Sequence, residues 1–342
     1  MPLPELNKKP GVCYAFSDAG VELPVIDITH PGFHQELGQD QLDAAYERYV
    51  QAQLKMGALA RWAQAKILPF FLKRSVIGRG LLKSIGGYLD GMSTYLMKLP
   101  PALLGAAWAS PMDRKLVEGM NRSGMSLGQR LQDMAESLAA GLRPLLQADA
   151  KRPLQLLNIA GGPSMDSLNA LILLYKAAPE LFAQRKVELH VLDLENEGPH
   201  FAAASLAALQ APGAPLHGLG ATLSVHAYDW AQPQALVELL EILPSNSILA
   251  LSSEGGLFDY GDDAGISANL QALHAHSAHD AVVVASLSPP GKGGSPFQRQ
   301  GIAKVVKRSV ESFGALAQSA GWELGGEPLE RPIFAVVQLF KA

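Results

Sequence analysis

Cysteine is nearly missing from this sequence: Cys13 is the single one in 342 residues. That excludes an intramolecular disulfide and a cysteine-rich zinc site. Excess charge of either sign is also small, with 28 Lys and Arg against 32 Asp and Glu for a net charge of -4. Phosphate-tracking proteins usually carry a basic surplus, so no nucleic-acid partner is expected. No run is long and apolar enough to span a bilayer. The most conspicuous uncharged stretch, Leu99–Met112, is short and broken by prolines. The opening MPLPELNKKPGV holds no apolar core of a secretory signal. A cytoplasmic protein is the expectation. Fixed-period repeats and low-complexity tracts are absent as well. What is present is ordinary core-forming material, 48% hydrophobic and 18% charged residues, enough for one large domain or two modest ones.

The two halves of the chain have different rhythms. From Gln41 to about Leu146 the apolar residues recur at helical spacing. Leu42, Ala45, Tyr46, Tyr49, Val50 and Leu54 line one predicted helix, and Leu127, Leu131, Met134 and Leu138 line another. Ser123 or Ser126 is placed to cap the second. The segment 68–110 between them, punctuated by Gly and Pro, predicts short helices. After Lys151 apolar runs alternate with helical stretches: Leu154–Ala160, Val187–Leu192, Thr222–Tyr228, Ser247–Leu251 and Ala281–Leu287. Continuous runs of this kind suit strands buried on both faces of a parallel sheet. Trp322–Gly325 and Ile333–Phe340 lie too close together for a parallel crossover, which predicts a terminal antiparallel hairpin.

Chemistry-bearing residues sit where those strands end. The first runs into Asn158-Ile159-Ala160-Gly161-Gly162-Pro163-Ser164-Met165-Asp166 before a helix begins near Ser167. Small residues let a ligand approach the backbone, and a helix N-terminus offers free N–H groups. The same pattern also makes a tight strand-to-helix turn in any α/β protein. The second strand ends in His190-Val191-Leu192-Asp193-Leu194-Glu195, a place where a carboxylate can accept both hydroxyls of a ribose or cap the next helix. The third ends in Tyr228-Asp229-Trp230, and the fourth in Ser252-Ser253-Glu254-Gly255-Gly256-Leu257-Phe258-Asp259-Tyr260.

Taken in this order, the strand ends resemble the class I S-adenosylmethionine-dependent methyltransferase superfamily, over residues 152–342. Ala160 and Ser164 stand where outer glycines of its first motif are usual, and Asn158 where an acid is common. The resemblance implies S-adenosylmethionine as cofactor. Ala160, Gly161, Gly162 and Pro163 would lie against it. Asp193, flanked by Leu194, would hold the ribose, with Glu195 as the substitute. Asp229 would accept the adenine amino group and Trp230 would cover the ring. An upstream arginine serves the methionine carboxylate in some members, and Arg130 is the candidate here. The fourth segment is similar to the Glu-Gly-to-Tyr stretch of leucine carboxyl methyltransferase-like small-molecule O-methyltransferases, departing from it at Gly256 and Phe258-Asp259. In the superfamily this strand end lies beside the methyl group. Ser253 is therefore placed at the cofactor, and Glu254 and Tyr260 are the catalytic candidates.

The expected architecture is a doubly wound α/β fold: a mostly parallel seven-stranded sheet with a terminal antiparallel hairpin, preceded by an N-terminal helical region. Residues 1–150 would form a helical cap shaping the substrate pocket, and 151–342 the Rossmann-like cofactor domain. The expected activity is methyl transfer to a small molecule, on a carboxylate or hydroxyl oxygen. A carboxylate acceptor needs no general base, and the strand ends supply no His-Asp dyad. Two other readings remain: an NAD(P)-dependent oxidoreductase on a related sheet, against which stands the missing Gly-x-Gly-x-x-Gly, and a non-catalytic nucleotide-binding partner protein.

His274, His276 and His279 cannot share one helical face, so no metal is expected. Between Lys66 and Lys98 the bases Lys66, Lys73, Arg74, Arg79, Lys83 and Lys98 face the single acid Asp90. That stretch reads as a solvated helix face rather than a membrane contact. Arg122 is expected at the surface. A homodimer is left open.

Overall fold

The computed structural model describes residues 2–83, 87–105, 108–277, 281–291 and 304–342. Strands β1 (Tyr14–Phe16) and β2 (Glu22–Pro24) form a small antiparallel hairpin that sequence reading missed, each strand being three residues long. Helices α1 (Gln39–Lys55), α2 (Ala58–Leu72), α3 (Val76–Lys83), α4 (Gly91–Lys98) and α5 (Pro111–Arg122) follow. Helix α6 (Leu127–Ala148) starts at the predicted cap, where the Ser126 hydroxyl accepts from the Gln129 N–H at 3.2 Å. Its stripe of Leu131, Met134, Leu138 and Leu142 is buried.

The second half alternates strand and helix: β3 (Leu154–Ile159), α7 (Met165–Ala177), β4 (Val187–Asp193), α8 (Glu197–Leu209), β5 (Ala221–Ala227), α9 (Gln234–Ile242), β6 (Ile248–Ser253), α10 (Leu257–Tyr260), α11 (Asp263–His276) and β7 (Ala281–Leu287). Helix α12 (Val310–Ser319) then leads into β8 (Trp322–Glu330) and β9 (Ala335–Lys341). The seven strands order as β5-β4-β3-β6-β7-β9-β8. Five are parallel, and β9 pairs antiparallel with both β7 and β8, as the short spacing of the last two runs predicts.

Helices cover both faces. One apolar cluster joins α4, α6, α7 and α8 to the sheet, and the other joins α9, α11 and α12. Helix α6 packs on α7, β7 and β9, so a helix from before residue 150 shares the core of the sheet. Asn169 on α7 ties in the N-terminal segment, accepting from Ile28 N–H at 2.8 Å and donating to Ile26 C=O at 3.0 Å. One strand departs from expectation. The third apolar run predicts a strand buried on both faces, yet β5 is the sheet edge, where Ala221 is buried, Leu223 and His226 are half-buried and the other four residues are exposed. With only β4 beside it, half its hydrogen-bonding groups face outward. No helix among the described residues is long and apolar enough to cross a membrane.

In this topology the strand order reverses at β3, which has β4 on one side and β6 on the other. Ligands of open α/β sheets bind in the crevice beyond the carboxyl ends of the strands at such a reversal.

Candidate functional site

A cavity of about 180 Å³ opens at that crevice. Ala160, Gly161 and Gly162 after β3, Asp193, Leu194 and Glu195 after β4, and Trp230 after β5 form one side of it. Glu254, Gly255, Gly256, Asp259 and Tyr260 after β6, with Arg130 from α6, form another. Pro163, Ser253 and Asp229 are not part of the lining, and each has a local reason. Pro163 lies behind the turn against the backbones of Gly91 and Gly198. The Ser253 hydroxyl donates to Ile159 C=O at 2.7 Å and accepts from Leu257 N–H at 2.9 Å, so it joins β3 to the start of α10. The Asp229 carboxylate accepts from Ala231 N–H at 2.9 Å, closing its own turn and leaving Trp230 as the residue of that pair on the cavity wall.

The turn after β3 is strained where its composition departs from glycine. Ala160 and Ser164, which replace the expected outer glycines, are the two non-glycine residues with positive φ among the described residues, at 53° and 54°. Such backbone costs on the order of 1 kcal/mol or more per residue and persists where surrounding structure enforces it. Enforcement here is by close backbone contact. A Cβ on Gly162 (φ 57°) would meet Gly91 Cα at 2.9 Å, and one on Gly198 would meet Gly162 Cα at 2.9 Å. Helix α4 and the first turn of α8 therefore clasp the loop through three glycines.

Asp193 is fixed by backbone: one oxygen accepts from Gly162 N–H at 3.2 Å, the other from Glu195 N–H at 3.0 Å. Burial raises its pKa above the usual carboxylate value, against the lowering effect of those N–H bonds. Glu195 is raised as well, by burial and then by Asp90, Asp193 and Glu197 nearby.

At the floor lies an ion-pair network that sequence reading missed. Glu254 binds Lys98 Nζ at 2.5 Å through one oxygen and Arg130 Nε at 3.1 Å through the other. Lys98 and Glu254 have side-chain exposures of 3% and 1%. The sequence predicts a solvated face for the basic stretch, but Lys98 belongs to the interior, where the last turn of α4 delivers it to Glu254. Arg130 Nη1 also reaches Asp259 at 3.3 Å. Burial works against the arginine's charge, and Glu254 and Asp259 more than restore it. The Nη2 end lies over Gly255, where a Cβ would come within 2.4 Å. Asp259 is pushed up by burial, and its second oxygen has no hydrogen-bond partner.

The far wall comes from the helical region. Leu89, Gly91, Thr94 and Met97 line it at helical spacing from the cap of α4, joined by Met120, Leu127, Ile333, Phe334, Val305 and Ser288. Asp90 caps α4, accepting from Met92 and Ser93 N–H at 3.0 Å each. That Asp-Gly start followed by residues 91, 94 and 97 was the signal available for this wall. Tyr88 stands edge-on to Trp230 at 4.8 Å and to Tyr260 at 5.4 Å. Burial raises the Tyr260 pKa, so its phenol stays protonated. Arg308 holds the loop after β6 in place, donating to Phe258 C=O at 3.2 Å and Gly261 C=O at 2.7 Å.

Behind the turn, Asp166 accepts from Asn158 Nδ2 and Ser167 N–H at 2.9 Å each, while its second oxygen lacks a partner. Burial, then the charge of Glu254, pushes its pKa up to about 6. A folded pKa above the unfolded value near 3.8 contributes stability below that value, and this is lost as pH rises through about 6. Asp166→Asn is therefore expected to raise stability by roughly 2–3 kcal/mol at pH 8, with the gain shrinking toward pH 5. Urea melts at the two pH values check it; a variant less stable at pH 8 than at pH 5, relative to the parent, contradicts it.

The histidines singled out in the sequence lie elsewhere. His274 packs on Trp322 at 5.9 Å, and His276 Nδ1 lies 2.9 Å from Ala272 C=O. His279 and its neighbour Asp280 fall outside the described residues. Arg122 is exposed, as expected, and pairs with Glu118 at 3.3 Å.

No family model matches the sequence, and no curated protein matches it. Among solved structures, a possible exported protein from Bordetella parapertussis aligns with TM-score 0.55 and 19% identity, over 91% of this chain and 99% of that one. The mitomycin 7-O-methyltransferase MmcR aligns with TM-score 0.40 and 14% identity, over 93% of this chain and 77% of that one. A Burkholderia thailandensis 1,6-didemethyltoxoflavin-N1-methyltransferase, solved with S-adenosylhomocysteine, aligns with TM-score 0.40 and 15% identity, over 70% and 93%. Likeness at this distance bears on fold alone. The fold itself is a doubly wound, mostly parallel seven-stranded α/β sheet with the antiparallel terminal hairpin in place.

Proposed function

We propose that this chain is an S-adenosylmethionine-dependent methyltransferase acting on a small molecule, with oxygen as the acceptor atom. The observation that carries the reading is the convergence of the Gly161-Gly162 backbone, the Asp193 carboxylate and the Trp230 ring on one cavity at the strand-order reversal. Five glycines line that cavity, so its wall is largely backbone that a ligand can approach.

When bound, the cofactor supplies an electrophilic methyl group on sulfur. The chain's task is to hold and orient. Asp193 keeps lone pairs beyond its two backbone bonds and takes the ribose hydroxyls. Trp230 offers its ring to the adenine, backed by Tyr88. Arg130, braced by Glu254 and Asp259, turns Nη2 to the amino-acid carboxylate. Met97, Met120, Leu127 and Phe334 give the acceptor an apolar wall, and Glu254 and Tyr260 stand beside the transferred group. Both oxygens of Glu254 are already in ion pairs, so its part is to position Arg130 rather than to take a proton. An acceptor ionised at neutral pH suits such a site. Alignment of this kind contributes on the order of 7–11 kcal/mol in well-ordered reactions.

Calorimetric titration separates this reading from its rivals. S-adenosylmethionine and S-adenosylhomocysteine are expected to bind at one site per chain, and NADH is not. Binding of NADH alone would move the chain to the oxidoreductases. Cofactor binding without transfer to any member of a broad panel of carboxylic acids and phenols would reduce it to a nucleotide-binding partner protein.

A further inference from the structure

Among the described side chains of helix α2, most are exposed, and these are large apolar residues and Lys66. Its exposed side chains include Leu59 (78%), Trp62 (62%), Phe70 (52%) and Ile67 (49%), followed by Phe71, with Leu54 exposed at the end of α1. On a wheel of about 100° per residue, Trp62, Leu59, Phe70 and Ile67 fall within an arc of roughly 140°. Leu72, which is fully buried, lies on the opposite side. A solvated helix face, as the sequence suggested, would carry polar residues along that arc. This one carries four large apolar side chains with Lys66 and Lys73 among them.

Charge decides what can cover it. From Arg48 to Leu89 the chain has eight cations and no Asp or Glu, although the whole protein is net negative at -4. Arg48, Lys55, Lys66, Lys73, Arg74, Arg79 and Lys83 are all exposed. Arg74 lies over the Phe70 ring at 3.8 Å, holding its charge at the edge of the apolar patch. A second copy of the chain would set this face against itself, since two-fold interfaces pair the same patch on both partners, and would bring only like charges together. Large apolar side chains ringed by cations on one helix face fit a surface that is negative outside and hydrocarbon beneath.

We propose that α2 is an interfacial helix that docks the protein on anionic lipid bilayers. Leu59, Trp62, Ile67 and Phe70 enter the acyl boundary, and Lys66, Lys73 and Arg74 extend to the headgroup phosphates. The helix lies in the plane of the surface and does not span it. The proposal is independent of methyl transfer, because none of these side chains lines the cavity.

The full chain is tested by co-sedimentation with vesicles of phosphatidylcholine containing about 30% phosphatidylserine, and with vesicles of phosphatidylcholine alone. Binding to the anionic vesicles is expected to exceed that to neutral ones by about tenfold or more and to fall with salt. Lys66→Glu/Lys73→Glu/Arg74→Glu is expected to weaken it by roughly a hundredfold, and Trp62→Ser/Phe70→Ser by about tenfold or more. Trp62 emission should shift to the blue on binding. All five positions are exposed, and unchanged far-ultraviolet circular dichroism verifies the fold. The proposal fails if the chain stays in the supernatant with both vesicles, or if both variants bind like the parent. It also fails if Trp62→Ser/Phe70→Ser abolishes a concentration-dependent dimer while the parent ignores vesicles, which would make this face a contact between copies.

Discussion

Glu254→Gln is expected to lower folding stability by about 3–5 kcal/mol, one of the largest effects of any conservative change in this protein. The substitution keeps the shape of the side chain and removes its charge. Lys98 then remains in the interior with its ammonium uncompensated, at 3% side-chain exposure. Arg130 keeps Asp259 and loses its stronger partner. Breaking one side of a buried pair costs far more than replacing both, because the desolvated charge left behind has nothing to offset it. Lys98→Met/Glu254→Gln should therefore recover much of the loss. Urea unfolding of the three proteins measures this directly. A Glu254→Gln variant within about 1 kcal/mol of the parent would show that Lys98 does not depend on Glu254 for its charge.

Asp193→Ala is expected to weaken S-adenosylmethionine binding by tenfold or more, the loss implied by removing a charged hydrogen-bond partner worth roughly 1.5–3 kcal/mol. Burial already raises the pKa of this carboxyl. By linkage its ionised form opposes folding at neutral pH, and any stability it contributes is lost as pH rises through the folded value. The variant should thus unfold no more easily than the parent near pH 8 while binding the cofactor poorly. Unchanged affinity in a folded Asp193→Ala protein would remove the carboxylate from the ribose.

Much of this site was legible in sequence because β-strands in a parallel sheet all end at one edge. Once Gly162, Asp193 and Trp230 were each assigned to a strand end, the fold had to bring them together. The departures from the glycine pattern were informative too: Ala160 and Ser164 adopt the left-handed backbone that glycine would have supplied. Asp229 shows the limit of that logic, since its carboxylate takes the turn hydrogen bond from Ala231 and only its neighbour Trp230 reaches the wall. Lys98 could not be found from local pattern, because its partner lies 156 residues away and a buried lysine looks like a surface one until the partner is known. The edge position of β5 had a local signal that its apolar residues masked: Thr222, Ser224 and His226 alternate with Leu223 and Val225, whereas β3 runs Leu156-Leu157 and is buried throughout. In α2 the sequence showed the cations, and the structure added that the apolar side chains share their exposed surface.

The central claim is that three strand ends share one ligand. Amide hydrogen exchange with and without S-adenosylhomocysteine reads all of them in a single experiment. Slowed exchange is expected together at residues 160–162, 193–195 and 229–231, with the loops at 149–153 and 244–247 unchanged. Protection concentrated in those last two loops, at the opposite edge of the sheet, would contradict the account.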